Sequence, residues 1–299
     1  MNRTICTIMD SRIERCEQVI GELAANAPSP SVIARLRREF GDSAASQLLA
    51  VAALQAKARL KFGQGTWWVT DRSLQQATPW QVAVQKASWL ADWPVMDLCC
   101  GIGGDAMQLA ARGRVTAADL DPLLISFAQA NVRKFGSPEL SEFVCRDVTE
   151  MSPPPECAIH VDPDRRRDGT RVSAPDRYQP DWTQLTRLIE TAKAAVVKLA
   201  PAARIRPPRP PSHRCWISLG GRVREQSLIC GEAVQRGGFQ SGSVSAMKIR
   251  ADGSCARFAP EVDGSVSVRE ETEPAEYLID PDAAVRAAGL TESFAAQFG

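Results

Sequence analysis

Apolar positions recur at helical spacing through the first part of the chain, and the period then changes. From Ser11 to about Phe62 they fall at Val19, Ile20 and Leu23, at Val32, Ile33 and Leu36, and at Leu48, Leu49, Val51 and Leu54, with Pro28 and Pro30 interrupting the run. Steps of three and four residues put such side chains on one helix face, so this region reads as a helical preface. Trp67-Trp68-Val69-Thr70 then reads as a short strand, its two tryptophans expected to pack into the core. Thr78-Pro79 reads as the cap and first turn of a helix that runs to about Leu90.

From Val95 the pattern alternates between short apolar runs and helical periods. Val95-Met-Asp-Leu98 is a strand, Cys99 to Gly104 a glycine turn, the following residues a helix, and Arg114 to Asp119 a second strand ending in a carboxylate. Asp121-Pro122 opens another helix, to about Phe135. Further strands are predicted at Glu142 to Asp147, at Ala158 to Asp162 and at Ala194 to Leu199. This order predicts an α/β fold, a doubly wound parallel sheet that binds ligands at the carboxyl ends of its strands. Gly101, Asp119, Asp147 and Asp162 would gather there. The proline-rich, basic stretch Arg204 to Arg214 reads as an extended loop and mobile linker. Domains are therefore expected over 1–65 (helical), 66–214 (nucleoside-binding) and 215–299. The last starts with further sheet and contains a helix capped within Asp280-Pro281-Asp282.

Composition narrows the class. The chain has 299 residues, 44% of them hydrophobic, enough for a real core. Thirty-six basic residues against 35 acidic give a net charge of +1, so any attraction to nucleic acid must be local. Nine scattered cysteines and two histidines, His160 and His213, offer no zinc spacing, and neither a metal nor a disulfide framework is expected. No apolar run is long enough for a membrane span, so a cytoplasmic location without membrane partners is expected.

The glycine turn carries the chemistry. Backbone amides at Gly101, Gly103 and Gly104 can approach a ligand, and Asp119, some 18 residues beyond Gly101, can accept from ribose hydroxyls. Gly101-x-Gly103-x-x-Ala106 also meets the loose dinucleotide fingerprint. Charge favours another ligand. A pyrophosphate would lie beside Asp97 and Asp105, whereas a sulfonium bearing an amino group, S-adenosylmethionine, would be attracted by them. A dinucleotide oxidoreductase stays as the lesser alternative. Lys198 either neutralises a carboxylate at the sheet edge or points to solvent.

With these residues the chain resembles the class I S-adenosylmethionine-dependent methyltransferases, in particular a bacterial group with a THUMP-like C-terminal module. The markers are Ala77-Thr78-Pro79, Lys86-Ala87, Asp97 to Asp105, Asp162-Pro163 with Arg165-Arg166, Lys198-Leu199 and Tyr277 to Asp282. The block Asp97 to Asp105 is also similar to that of trimethylguanosine synthase, an RNA cap methyltransferase. The resemblance implies a Rossmann-like methyltransferase sheet with a small α+β C-terminal module. It puts Asp97, Gly101 and Gly103 around the methionine part of the cofactor, Asp119 on the ribose and Asp147 on the adenine. Thr78, Cys99, Asp105, Leu120 and Val148 complete the expected cofactor lining. Asp162 and Pro163 would be the catalytic pair, and RNA the partner. Many base-amino methyltransferases carry a stacking aromatic just after that pair. Here Asp164-Arg165-Arg166-Arg167 follows, so Arg165 and Arg166 are expected to hold phosphates. The missing aromatic also leaves open an RNA-binding protein that has lost methyl transfer.

Overall fold

A computed structural model describes residues 3–90, 92–136, 138–167, 170–260 and 276–298. Six helices come first: α1 (Arg3–Ala25), α2 (Pro30–Phe40), α3 (Asp42–Ala53), α4 (Gln55–Phe62), α5 (Asp71–Gln76) and α6 (Trp80–Trp89). The alternating block follows as β1 (Val95–Leu98), α7 (Ala106–Ala110), β2 (Val115–Asp119), α8 (Pro122–Val132), β3 (Ser141–Cys145) and β4 (Ala158–Val161). A short hairpin, β5 (Arg166–Arg167) and β6 (Thr170–Arg171), precedes α9 (Trp182–Thr191) and β7 (Ala194–Leu199). The remainder is β8 (Ser212–Leu219), β9 (Arg222–Gly231), α10 (Glu232–Arg236), β10 (Val244–Ile249), β11 (Cys255–Phe258), α11 (Ala283–Ala287) and α12 (Thr291–Phe298). The α/β architecture expected from the alternation is present.

The chain divides into two compact units. The first comprises Met1–Ala87 and Cys99–Val148. Its strands β2 and β3 are parallel, in register from Val115 opposite Ser141 to Asp119 opposite Cys145. Asp121 caps α8 by accepting from the Leu123 amide at 2.9 Å, with Pro122 at the first helical position, as the sequence predicts. The helical preface packs through Leu36, Leu48 and Ile20, all nearly inaccessible.

Trp67 and Trp68 are buried as expected, but their segment is not a strand. Two side-chain amides take the place of a neighbouring strand. Gln55 accepts from the Trp67 amide at 2.9 Å and donates to its carbonyl at 2.7 Å; Asn131 accepts from the Trp68 amide at 2.9 Å and donates to its carbonyl at 3.0 Å. Buried backbone groups must be paired, and these two residues, both fully buried, pair them without a ladder.

The second unit comprises Ser88–Leu98 and Thr149–Gly299. Here β4 lies between β1 and β7, parallel to both. β9 runs antiparallel to β7 and to β8, while β10 is parallel to β8 and antiparallel to β11. Every residue of β1, β4 and β7 is buried, which explains why these strands read as continuous apolar runs rather than alternating ones. α11 closes a cluster of Trp216, Ala246, Ala284, Val285 and Leu290, and Asp282 caps it through the Ala284 amide at 2.9 Å. The basic stretch before β8 is an irregular segment, and β8 itself begins at Ser212.

Candidate active site

In the first unit the glycine turn leaves β1 through Cys99, whose φ of 60° is unusual for a residue with a side chain, and Gly101, whose φ is 55°. A Cβ at Gly101 would meet nothing within 4 Å, so its backbone borders open space. Gly103 and Gly104 do a different job. A Cβ at Gly103 would lie 3.1 Å from Val132 Cγ2, and one at Gly104 would lie 3.0 Å from the Thr78 backbone nitrogen. These two glycines permit close packing against α8 and against the 77–78 segment.

Asp119 stands at the end of β2. One carboxylate oxygen accepts from the Gly101 amide at 2.9 Å and the other from the Asp121 amide at 3.0 Å, which fixes the turn to the strand end. Burial raises its pKa above the usual carboxylate value, while those two amides pull the other way. A desolvated carboxylate held beside an open glycine backbone suits ribose hydroxyls. Leu120 next to it is 58% exposed, and its carbonyl accepts from the Cys145 thiol at 3.6 Å. Asp147 is half-buried in the loop after β3, and Val148 is buried.

Asp105 is engaged within the protein. Thr78 Oγ1 donates to Oδ2 at 2.6 Å and Lys86 Nζ lies 2.8 Å from Oδ1, with all three residues buried. The sequence offered Asp105 as a partner for the methionine amine and Thr78 as a helix cap. In the structure α6 starts at Trp80 and the Pro79 carbonyl accepts from Val82 and Ala83. The Thr78 hydroxyl, just before this first turn, goes to Asp105. Lys86 neutralises that carboxylate.

In the second unit Asp97 is fully buried on β1, with Oδ1 at 2.7 Å from Nδ1 of His160, its register partner on β4. A lone histidine in an otherwise apolar strand was the sequence signal for this pairing. Asp162 follows β4, and its amide continues the ladder to the Leu98 carbonyl at 3.2 Å. Lys198 Nζ lies 2.6 Å from Asp162 Oδ2, so Lys198 neutralises a carboxylate at the strand ends rather than pointing to solvent. Asp162 keeps partial exposure, whereas Pro163 is buried.

Arg165 is buried at 7% exposure, and its carbonyl accepts from the Val172 amide at 2.8 Å. The Arg166 side chain lies outside what is described. Tyr178, absent from the sequence reading, supports this loop: its hydroxyl donates to the Ser173 carbonyl at 3.2 Å and accepts from the Ala200 amide at 3.1 Å. Among the described residues no cluster of His, Cys, Asp and Glu could hold a metal ion, and no helix is long and apolar enough to cross a membrane.

Comparison with known proteins agrees with the glycine-turn chemistry. Residues 95–161 match the family model described as a methyltransferase domain. An uncharacterized S-adenosylmethionine-dependent methyltransferase of Mycobacterium tuberculosis is 27% identical over 280 residues, covering 88% of this chain and 73% of that protein. A crystal structure of a candidate methyltransferase from Porphyromonas gingivalis W83 superposes with a TM-score of 0.69 at 16% identity, covering 95% of this chain and 75% of the other. Such a match shows a shared fold. Residues 95–161 of this chain thus match a methyltransferase domain, and the fold is shared with a methyltransferase structure.

Proposed function

We propose that this protein transfers the methyl group of S-adenosylmethionine to RNA. The observation that carries the cofactor half of the reading is the tie between Asp119 and Gly101, a carboxylate at a strand end joined to a glycine of positive φ whose Cβ position is open. In this reading Asp119 accepts from the ribose hydroxyls, Asp147 from the adenine amine, and Asp97, steadied by His160, faces the methionine amine. The cofactor supplies an electrophilic methyl on a positively charged sulfur. The chain's own residues position the acceptor: Asp162, paired with Lys198, accepts a hydrogen bond from the attacking group and aligns its lone pair.

RNA as the acceptor is supported by the likeness of residues 97–105 to an RNA cap methyltransferase. The arginine run beginning at Arg165 supports it less, because Arg165 is buried. The separate resemblance to the bacterial methyltransferase group, carried in this region by Tyr277 to Asp282, supports reading the terminal module as THUMP-like. Calorimetric titration with S-adenosylmethionine, followed by radiolabelled transfer to total RNA, tests both halves. Asp119→Ala is expected to weaken cofactor binding by about 1–3 kcal/mol, since ribose hydroxyls lose a charged partner. Unchanged affinity in that variant removes the Asp119 assignment. Cofactor binding without label in RNA removes the acceptor and leaves an RNA-binding relic or another substrate.

A further inference from the structure

A groove of about 740 Å³ lies between one face of α9, the proline-rich segment 205–210 and the start of β8, all in the second unit. We propose that this groove binds single-stranded RNA, with Trp182 stacking on a base and Arg206 and Arg214 meeting the phosphates. The proposal rests on the RNA reading above and gives that substrate a location.

Trp182, Thr186 and Glu190 line the groove at four-residue steps along α9. The indole of Trp182 is half-buried and makes no ring contact with another described aromatic residue. Such a surface suits an unpaired base, because every base presents a π face and a paired one does not expose it. Arg206 is exposed, and no carboxylate among the described residues pairs with it. Arg214 is half-buried, with its guanidinium carbon 5.2 Å above the Trp216 ring. Burial lowers the Arg214 pKa, and no facing carboxylate offsets that effect. A phosphate would relieve the cost of holding this charge partly out of water.

Arg209 closes the groove at one end. One of its nitrogens donates to the carbonyls of Ala192 and Lys193, and its Nε is buried with no acceptor among the described residues. Glu190 lies two residues before Ala192, so the acidic charge falls at the Arg209 end. The volume accommodates one or two nucleotides. The prolines restrict the backbone of the segment that carries Arg206, which lowers the ordering cost of binding. The sequence read this stretch as a mobile linker; its position along the groove gives it a role.

The test is fluorescence anisotropy of a short labelled oligouridylate with the full chain, titrated with salt. Trp182→Ala is expected to weaken binding by about five-fold or more, the effect of losing one stacked base. The double variant Arg206→Ala with Arg214→Ala is expected to reduce the slope of log K against log salt by about 1.4, and Arg206→Ala alone by about 0.7, as for lost single-strand phosphate contacts. Arg206 is exposed, so the single variant tests the proposal even if loss of Arg214 disturbs folding. Arg112→Ala removes the same charge outside the groove and is the control.

The proposal is overturned if the wild type does not bind, if the groove variants match the wild type or the Arg112 control, or if poly-glutamate or an abasic phosphodiester competes as well as oligouridylate. Binding that depends on the groove, with no methyl transfer to RNA, upholds the groove and removes the enzymatic reading. Transfer to RNA with unaltered affinity in the groove variants does the reverse.

Discussion

Asp105 and Asp119 are separated by one short helix and a strand, yet the fold uses them differently. Asp105 is sealed by Thr78 and by Lys86, itself fully buried, and serves to hold α6 against the glycine turn. Asp119 accepts from two backbone amides and, with its pKa raised by burial, is the carboxylate suited to an incoming ligand. The sequence placed both beside the turn and gave no means to separate them, because their roles depend on whether a lysine 19 positions away reaches the carboxylate. Removing Lys86 leaves a buried negative charge short of its counter-ion. Lys86→Met is therefore expected to destabilise the protein by about 3–5 kcal/mol, and Asp105→Asn added to it to restore part of that loss. Urea denaturation of the two variants checks this, and a single variant as stable as the wild type would remove the role given to the pair.

At the level of elements, the glycine turn was legible as a turn, since three glycines in four residues after an apolar strand have few other uses. Its division of labour was not. Gly104→Ala would push a Cβ against the backbone of Thr78, and is expected to reduce stability by about 1–3 kcal/mol, as for an overpacked core. Gly101→Ala meets no such clash. It is strained by its positive φ by about 1–2 kcal/mol, but it adds a methyl where a cofactor would pass, so its affinity for S-adenosylmethionine is expected to fall more than its stability. Thermal melts with and without cofactor separate the two. Equal loss of stability and affinity in both variants would contradict the assignment. The 67–70 segment shows the opposite limit. Its β-type composition was real, but Gln55 and Asn131, 12 and 63 residues away, satisfy its backbone in place of a strand.

For the whole molecule, acid stability depends on a group outside the methyltransferase motif. His213 is buried against Phe239, with ring centroids 4.5 Å apart, and its nitrogens meet the Gln240 carbonyl and the Ser245 hydroxyl. Burial lowers its pKa to about 4, helped by Arg257 and Arg214 and opposed by the Gln240 carbonyl. The unfolded chain takes up this proton near pH 6.5, the folded one only near pH 4. The stability it confers is therefore complete above pH 6.5 and is lost as pH falls through that window, by about 3 kcal/mol. His213→Gln is expected to flatten this part of the profile in denaturation at pH 7 and pH 4.5. An unchanged difference between the two pH values would refute it.

Local order was settled by the sequence alone: the strand and helix periods, the glycine turn, the cap and proline at Asp121-Pro122, and the carboxylates at strand ends. Each depends on residues a few positions apart, where backbone geometry leaves few choices. Tertiary structure alone decided which carboxylates are neutralised, which amides replace a strand, and that a basic, proline-rich stretch lines a groove. Those outcomes depend on side chains far apart in the chain, brought together by burial of apolar surface that is itself indifferent to charge. Once there, a polar group must find a partner or keep water, and no local pattern records which.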